Sequence, residues 1–335
     1  MKDPTVAVVG ATGMVGRTML EILEQRSFPA SEVVAVASSK SAGEKVLFKG
    51  QALEVRDLAE IDFSGIQIGL FSPGASVSIE HAPRAAAAGT VVVDNTSAFR
   101  MEPDVPLVVP EVNPEQIENR PRGIIANPNC STIQMVVALA PLHRVSPIER
   151  IVVSTYQSVS GAGTQAVNEL ESTARTALDG GEPQAGPKFP HVIGFNCLPQ
   201  IDVFLQDGYT KEEHKMMGET RKIIGDDRIG VSATCVRVPV FVGHAEAVNV
   251  QTREPISPET ARELLAAAPG VEVVDDPSSG SYPLQRDCAG KDPTYVGRIR
   301  RDLSNERALD MWIVADNLRK GAALNAVQIA EILAK

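Results

Sequence analysis

A glycine-rich loop between a buried strand and a helix restricts the fold of this chain more than any other feature. Residues 5–9 (TVAVV) are continuously apolar, as in a strand buried on both faces of a parallel sheet. Residues 10–16 (GATGMVG) follow directly, and residues 14–25 carry apolar side chains at helical spacing. A strand, a glycine turn and a helix in this order predict a nucleotide-binding unit, in which the first N–H groups of the helix bind a pyrophosphate. The alternative is a helix-entry loop that binds nothing.

The alternation of strands and helices continues to about residue 130. Further strands are expected at residues 33–37, 66–71, 91–94, 107–109 and 123–126, and a helix is expected at residues 81–88. Because parallel strands need crossover helices, this alternation predicts a doubly wound α/β domain of the Rossmann type.

The pattern changes after residue 130. A helix at residues 131–142 is followed by strands at residues 151–156, 231–238 and 245–252, and residues 173–198 are rich in glycine and proline and predict an irregular excursion. This predicts a second, α+β domain with a mixed or antiparallel sheet. The expected domains are 1–130 and 131–316, with a C-terminal segment from about 317 to 335, helical at 322–333, that returns to the first domain.

Composition excludes several classes of function. A net charge of −10 argues against nucleic acid as a partner. No run approaches the roughly 18 apolar residues of a membrane span, and the N-terminus enters the first strand without a secretion signal, so the cytoplasm is expected. The four cysteines are far apart and have no metal-site spacing with histidine, which predicts free thiols and no bound metal.

The end of the second strand bears on the choice of cofactor. A site that prefers NAD usually has a carboxylate about 20 residues after the glycine loop, where it binds the ribose 2′-hydroxyl. Residues 37–43 (ASSKSAG) offer hydroxyl groups and the cation Lys40 instead, which suits a 2′-phosphate. NADP is therefore the predicted cofactor, and a polar turn without a binding role is the alternative.

Cys130 is the candidate nucleophile. It follows residues 126–129 (ANPN) at the predicted start of a helix, where the helix dipole favours the thiolate. A thiolate attacks acyl centres, and the resulting thioester can accept a hydride. The alternative is a cysteine buried as a small apolar residue.

Five histidines are candidates for the acid/base that such a thiol needs. His244 follows a glycine in a loop between apolar strands and is favoured. His81 and His214 fall in predicted surface helices, and the sequence leaves His143 and His191 undecided.

Three cations suit an anionic substrate, namely Arg100, Lys215 and Arg237. Arg237 lies in an apolar strand, where an unpaired guanidinium would be costly. Glu212 and Lys215 are spaced i, i+3 and share a helix face. For that pair, a surface ion pair without a function is the competing interpretation.

These features together resemble the aspartate-β-semialdehyde dehydrogenase family over essentially the whole chain. The segments that carry the resemblance are residues 10–16, 38–43, 127–132 (NPNCST), 156–163 (YQSVSGAG), 237–240 with 243–244, and 316–325 (DNLRKGAALN).

The resemblance implies roles for individual residues. Cys130 would form the acyl-thioester, His244 would be the acid/base, and Gln157 would orient the intermediate. Arg237 would bind the substrate α-carboxylate, with Glu212 near its amino group. The residues implied for the phosphate site are Arg100, Asn129 and Lys215.

The resemblance also implies an NADP site. Lys40 departs from the family pattern, which often has arginine there, and lysine keeps the charge without the planar fork. The residues implied for NADP contact are Gly10, Thr12, Gly13, Met14, Val15, Ser38, Lys40, Ser41, Ser160, Gly161 and Asn317.

The implied reaction is the NADPH-dependent reduction of L-aspartyl-4-phosphate to L-aspartate-4-semialdehyde, in lysine, threonine and methionine synthesis. The family forms homodimers through its second domain, and a tetramer is the alternative. One competing function is a related acyl-phosphate reductase, such as N-acetyl-γ-glutamyl-phosphate reductase, against which Glu212 and Arg237 weigh. The other is a non-catalytic nucleotide-binding homologue, against which Cys130, Gln157 and His244 weigh.

Overall fold

The computed structural model describes all residues from 1 to 335 and consists of two compact units. The first unit comprises Met1–Asn129 and Ala322–Lys335, and the second comprises Cys130–Gly321. The sequence-based boundaries differ from these, because Cys130 opens a helix of the second unit and residues 317–321 also belong to that unit. No helix is both long and apolar enough to cross a membrane.

The first unit is built on a parallel sheet. Its helices are α1 (Met14–Gln25), α2 (Ala75–Ala87) and α8 (Leu324–Ala334), with a 3₁₀ turn at Pro114–Glu118. Its strands are β1 (Thr5–Val9), β2 (Glu32–Ala37), β3 (Lys45–Phe48), β4 (Gln51–Glu54), β5 (Arg56–Asp57), β6 (Ile68–Phe71), β7 (Val91–Asp94) and β8 (Ile124–Ala126).

Six of these strands form one sheet in the order β5-β2-β1-β6-β7-β8, and every pair in it is parallel. The order reverses at β1, and the carboxyl ends of strands at such a reversal form the usual ligand site of doubly wound folds. The α/β prediction is confirmed. Strands β3 and β4 form a separate antiparallel hairpin that the sequence pattern did not indicate.

One predicted strand of this unit is absent. Residues 107–109 form only an isolated bridge between Leu107 and Ala126. Pro106 and Pro110 flank this run, and proline cannot donate a ladder hydrogen bond, so three residues remain between two breaks. The helix expected at 81–88 is longer than its alanine-rich half, since it begins at Ala75.

The second unit contains a mixed sheet. Its helices are α3 (Cys130–Val145), α4 (Thr164–Leu178), α5 (Lys211–Ile224), α6 (Pro258–Ala266) and α7 (Gln285–Cys288), with 3₁₀ turns at Val159–Ala162 and Pro277–Ser279 and a π-helix at Arg319–Ala323, of which residues 319–321 lie in this unit. Its strands are β9 (Ile148–Gln157), β10 (Gly230–Arg237), β11 (His244–Thr252), β12 (Val271–Val273), β13 (Thr294–Arg301) and β14 (Ala308–Ala315).

The strand order is β10-β9-β11-β14-β13-β12, with parallel pairs at the two edges and antiparallel pairs between them. The apolar core lies between this sheet and helix α3, which is buried on nearly all sides and carries Met135, Leu139 and Leu142 into it. A helix that is apolar all round is expected to be enclosed in this way.

The irregular excursion begins later than the sequence predicted. Helix α4 continues to Leu178, so the excursion starts at residue 179 rather than 173. The buried carboxylate of Glu169 on α4 accepts backbone N–H bonds from Gly186 (3.1 Å), Lys188 (2.9 Å) and Phe189 (3.3 Å). These bonds hold the glycine- and proline-rich segment against the helix.

Candidate active site

The glycine loop after β1 is folded so tightly that two of its positions admit only glycine. Gly10 has a φ of +87°, and its N–H donates to the Val36 carbonyl at 2.8 Å. A Cβ on Gly10 would lie 2.7 Å from the Ser72 carbonyl oxygen, and one on Gly16 would collide with the Gly10 carbonyl. At the N-cap of α1, Gly13 provides no side-chain cap, and the first turn has no acidic residue. The first N–H groups of α1 therefore suit a pyrophosphate.

Around this loop lie the other residues of the first unit that the sequence assigned to the cofactor. Thr12, Met14 and Val15 are half-buried in or just after the loop. Ser38 and Lys40 are exposed in the turn after β2, where the Ser41 N–H donates to the Ser38 carbonyl at 2.8 Å. Residues 38–43 contain no carboxylate, so the turn suits a 2′-phosphate better than a 2′-hydroxyl.

Arg100 and Asn129 are the substrate residues predicted in this unit, and both are buried. The Arg100 guanidinium donates from Nε to the Asn127 carbonyl (2.9 Å) and from Nη2 to the Asn95 carbonyl (3.0 Å). The Asn127 amide donates to Asn95 Oδ1 and accepts from the amide of Asn325, each at 2.6 Å. Backbone carbonyls and an asparagine network therefore set the orientation of Arg100. Asn95 belongs to this network, although no sequence pattern indicated it.

In the second unit, Cys130 is the first residue of α3, and it is half-buried and not in a disulfide. The π-helix packs directly against it. A Cβ on Gly321 would lie 2.8 Å from Cys130 Cβ, so only glycine fits there. The first turn of α3 contains no acidic residue, which favours a thiolate at this end of the helix.

The other three cysteines are less suited to act as the nucleophile. Burial raises the pKa of the Cys235 thiol, and burial also raises that of Cys288, to about 12. Cys197 is exposed in the excursion after α4. Cys130 thus differs from all three in its position at a helix start.

His244 is the first residue of β11 and is completely buried, whereas the sequence predicted a loop position. Its Nδ1 accepts the Ser158 N–H at 3.1 Å and lies 3.1 Å from Ser158 Oγ. Burial, with a smaller contribution from Arg237, lowers the pKa of His244 to about 3. The imidazole is therefore neutral, and because Nδ1 is an acceptor, the hydrogen-bond network places the ring proton on Nε2.

Asn317 organises the backbone around this histidine. Its Oδ1 accepts from the Gly243 N–H (2.9 Å) and from Ser158 Oγ (3.0 Å), and its Nδ2 donates to Ser160 Oγ (2.9 Å). Ser160 and Asn317, which the sequence assigned to the cofactor, thus have side chains that bond within the second unit. Ser158 was not among the predicted site residues, although it lies inside the 156–163 segment.

Arg237 ends β10 and is buried beside His244. Its Nη1 donates to the Ser158 carbonyl at 2.6 Å. A Cβ on Gly161 would lie 3.3 Å from His244 Nε2 and 3.4 Å from Arg237 Nη1. The 3₁₀ turn with Gly161 therefore covers the imidazole and the guanidinium together.

Glu212 connects Gln157 with Lys215. Gln157 Nε2 donates to Glu212 Oε1 (3.2 Å) and to Thr155 Oγ1 (3.3 Å). Lys215 Nζ donates to Glu212 Oε2 (3.2 Å) and to Asp202 Oδ2 (3.0 Å). The pair is not a surface ion pair, since Glu212 is buried. No sequence pattern indicates Asp202, because it lies 13 residues from its partner Lys215.

The charges of the cluster are mutually dependent. Burial lowers the pKa of Arg237, and the negative charges of Glu212 and Cys130 oppose that effect. Burial also lowers the pKa of Lys215, but Glu212 and Asp202 outweigh it and the pKa is raised. Lys215 is therefore a cation, and Arg237 is one as well because an arginine side chain stays protonated in proteins.

Helix α5, which carries Glu212 and Lys215, is held to the sheet at its start. Thr210 and Glu213 form a capping box, in which Glu213 Oε2 accepts the Thr210 N–H at 2.7 Å. The other oxygen of Glu213 accepts the Cys235 N–H of β10 at 3.0 Å. This links the helix N-terminus directly to the strand that ends at Arg237.

A second buried acid lies two residues after His244. Glu246 is fully buried, and burial, together with Glu212, raises its pKa well above the ordinary value although Gln134 opposes the shift. Desolvation therefore favours the neutral form of its carboxyl group. Glu246 was not among the predicted site residues, because an acid inside a strand is normally exposed.

The chain matches two family models in sequence. Residues 5–120 match the model described as semialdehyde dehydrogenase, NAD binding domain, and residues 139–320 match that described as semialdehyde dehydrogenase, dimerisation domain. The aspartate-semialdehyde dehydrogenase of Aquifex aeolicus is 57% identical over 332 residues, which cover 98% of each chain. That of Legionella pneumophila is 56% identical, over 98% of this chain and 95% of the relative.

Solved structures agree with the sequence matches. Aspartate semialdehyde dehydrogenase II of Vibrio cholerae, complexed with ASA, superposes with a TM-score of 0.96 at 52% identity, over 99% of this chain and 98% of that one. The enzyme of Candida albicans with NADP has a TM-score of 0.75 at 28% identity, over 98% of each chain. With relatives of this similarity over nearly its full length, and with a thiol, a neutral imidazole and paired cations in its second unit, the chain belongs to the aspartate-semialdehyde dehydrogenase family.

Proposed function

We propose that this chain catalyses the NADPH-dependent reductive dephosphorylation of L-aspartyl-4-phosphate to L-aspartate-4-semialdehyde, a step in lysine, threonine and methionine biosynthesis. Full-length similarity to enzymes named for this activity supports the proposal. The observation that carries it is the buried cluster of the second unit, in which Arg237, His244 and the Gln157–Glu212–Lys215 chain adjoin.

The charges of the site match the ends of an aminoacyl phosphate. Arg237 is buried and cationic, and it binds the α-carboxylate, while the buried carboxylate of Glu212 receives the α-ammonium. An acetylated amine carries no charge that the Glu212 carboxylate would attract, so the arrangement favours aspartyl phosphate over N-acetyl-γ-glutamyl phosphate. Arg100, Asn129 and Lys215 bind the phosphoryl group.

Cys130 performs the covalent step as a thiolate. Its sulfur attacks the acyl carbon, the C–O bond to phosphate breaks, and an acyl-thioester forms on the cysteine. The departing phosphate takes up the one proton that the overall balance requires. NADPH, when bound, supplies the hydride that reduces the thioester carbonyl, after which Cys130 leaves as thiolate and the aldehyde is released.

His244 acts through its Nε2–H group. Because Nδ1 accepts the Ser158 N–H, the ring is held with its proton on Nε2, beside Gly161 and Arg237. It donates a hydrogen bond to the acyl oxygen as negative charge develops there. In this proposal the neutral imidazole of His244 stabilises that oxygen, whereas the resemblance implies an acid/base role for it.

NADP is the proposed cofactor in preference to NAD. The uncapped start of α1 and the glycine loop suit the pyrophosphate, and the turn after β2 offers Ser38, Lys40 and Ser41 to the 2′-phosphate without a competing carboxylate. The backbones of Ser160 and Gly161 and the side chain of Asn317 complete the proposed set of cofactor residues.

The steady-state oxidation of aspartate semialdehyde tests both parts of the proposal. Purified protein should reduce NADP in the presence of aspartate semialdehyde and phosphate, and NAD should support a clearly lower kcat/KM. Turnover of N-acetyl-γ-glutamyl phosphate without turnover of aspartyl phosphate would contradict the substrate assignment. NADPH binding without any phosphate-dependent turnover would instead indicate a non-catalytic homologue.

The proposal extends to assembly and location. The match of residues 139–320 to a dimerisation domain supports a homodimer formed through the second unit. The four free cysteines support the cytoplasm, where thiols stay reduced.

A further inference from the structure

The side chain of Gln285 bonds to the backbone directly before two of the proposed active-site residues. Its Nε2 donates to the Tyr156 carbonyl at 2.9 Å and to the Gly243 carbonyl at 2.6 Å. Tyr156 precedes Gln157, and Gly243 precedes His244. One amide NH₂ group therefore bridges the end of β9 and the start of β11.

This bridge lies just beyond the end of the ladder between β9 and β11. The ladder between β9 and β11 has its last pair at Tyr156 and Ala245. Beyond that pair the two strands lack ladder bonds, although the proposed site residues Gln157 and His244 follow there. The side chain of Gln285 extends the connection between the two strands by one residue beyond the ladder.

The backbone of Gln285 also contacts the His244 strand. Gly243 has a φ of +94°, and a Cβ on it would lie 2.9 Å from the Gln285 carbonyl oxygen. The close approach of the two backbones fixes the distance over which the side chain of Gln285 reaches the Gly243 carbonyl.

The segment that carries Gln285 is itself anchored on both sides. Before it, the Pro283 carbonyl accepts from Trp312 Nε1 at 3.1 Å. After it, the Gly290 N–H donates to Asp316 Oδ2 at 2.6 Å. Both anchors lie on β14 or in the turn that follows it, so the amide of Gln285 is presented from a fixed support.

We propose that Gln285 is a positioning residue, which sets the separation of Gln157 and His244 by bonding the carbonyls that precede them. The inference rests on the proposed function, because it concerns the same reaction. Gln285 does not belong to the residues proposed to touch substrate or cofactor.

The replacement Gln285→Met tests the inference, because methionine has similar length and volume but no donor. We expect kcat to fall roughly 10- to 100-fold, as for a displacement of catalytic groups by about 1 Å. KM for aspartate semialdehyde and the affinity for NADPH should change less than about threefold, because Arg237 and the glycine loop are not bonded to Gln285.

Gln251→Met is the matched control. Gln251 lies at the other end of β11, where its amide donates to Glu149 at 3.1 Å. The same chemical change there should leave kcat within about twofold of the wild-type value.

The isosteric replacement Gln285→Glu adds a test that does not depend on the methionine variant folding. A carboxylate would face two carbonyl oxygens without a donor, whereas its protonated form regains one donor. The ratio of variant kcat to wild-type kcat should therefore rise about threefold or more between pH 8.5 and pH 6.5. A purely structural defect would give a constant ratio.

An active wild type with a Gln285→Met variant whose kcat is within twofold of it would overturn the inference. A constant kcat ratio for Gln285→Glu would do the same, as would an equal loss in Gln251→Met. If the wild type shows no phosphate-dependent turnover, the proposed function itself fails, and that result is distinct from the others.

Discussion

The thiol of Cys130 lies at a helix start, is partly exposed and interacts electrostatically with Arg237. In Cys235 and Cys288, by contrast, burial raises the thiol pKa. We expect Cys130→Ala to lower turnover by about four orders of magnitude or more, since it removes the nucleophile. NADPH should still bind, which fluorescence titration can measure. The control is Cys197→Ala, which should keep normal turnover, and retained turnover in Cys130→Ala would refute the nucleophile assignment.

The buried imidazole of His244 makes stability depend on pH. Its folded-state pKa of about 3 lies below its unfolded value of about 6.5, so below pH 6.5 the unfolded chain binds a proton that the folded protein does not. The contribution of the neutral imidazole to the free energy of unfolding is complete above pH 6.5 and is lost as the pH falls towards 3.

Urea unfolding of the wild type and of His244→Asn at two pH values checks this. Between pH 7.5 and pH 5.5, the wild type should lose about 1.4 kcal/mol of unfolding free energy relative to the variant. If the difference in unfolding free energy between the wild type and the variant is the same at both pH values, the imidazole is not held neutral.

Asp202 shares Lys215 with Glu212 and should weaken phosphate binding in the oxidative direction. Asp202→Asn removes that competing charge, and asparagine tolerates the φ of +67° at this position. We expect the KM for phosphate to fall about two- to fivefold, as for a partly exposed ion pair. Asp207→Asn is the control, because Asp207 pairs with the exposed His214 instead. A raised or unchanged phosphate KM would argue against Lys215 as a phosphate residue.

At the scale of elements, the π-helix at Arg319–Ala323 closely approaches α3 at its first residue, Cys130. A methyl group on Gly321 would lie 2.8 Å from Cys130 Cβ, so either the π-helix or the thiol must move. Gly321→Ala should therefore lower kcat roughly 10- to 100-fold, with little change in NADPH affinity.

Gly230→Ala provides the control for that experiment, because a Cβ there meets its nearest neighbour at an ordinary 3.5 Å. Its kcat should equal that of the wild type. A fully active Gly321→Ala would show that the thiol tolerates displacement.

Helices and strands were predicted correctly where a short stretch of sequence carried the whole pattern. The apolar run at Thr5–Val9 and the helix at Met14–Gln25 were predicted at their observed bounds, because each shows its own period next to a glycine turn. Residues 107–109 were wrongly predicted as a strand, since apolar content cannot show that flanking prolines prevent pairing. The hairpin of β3 and β4 was missed because its strands are short and largely exposed.

At the scale of the whole molecule, the match to a dimerisation domain over residues 139–320 makes self-association the expected state. Sedimentation equilibrium should give twice the chain mass of 35.7 kDa at micromolar concentration. A tetramer would extend the proposal, and a monomer at all accessible concentrations would contradict it.

The sequence by itself determined the α/β class of the first unit, the position of Cys130 at a helix start and the membership of the family. Each depends on short segments whose period, glycines or motif are complete within a few residues. The proposed roles of Gln157, Arg237 and His244 also came from the sequence, through the resemblance of such segments.

Only the tertiary structure decided the partners and protonation states of these side chains. The bond from Ser158 to His244 Nδ1, the contact of Asp202 with Lys215 and the two bonds of Gln285 join residues that are 13 to 129 positions apart. Burial in the same core lowers the pKa of His244 and raises that of Glu246, and so favours the neutral form of both. No local pattern encodes such effects, because desolvation and hydrogen bonding depend on which distant groups the fold brings within a few ångströms.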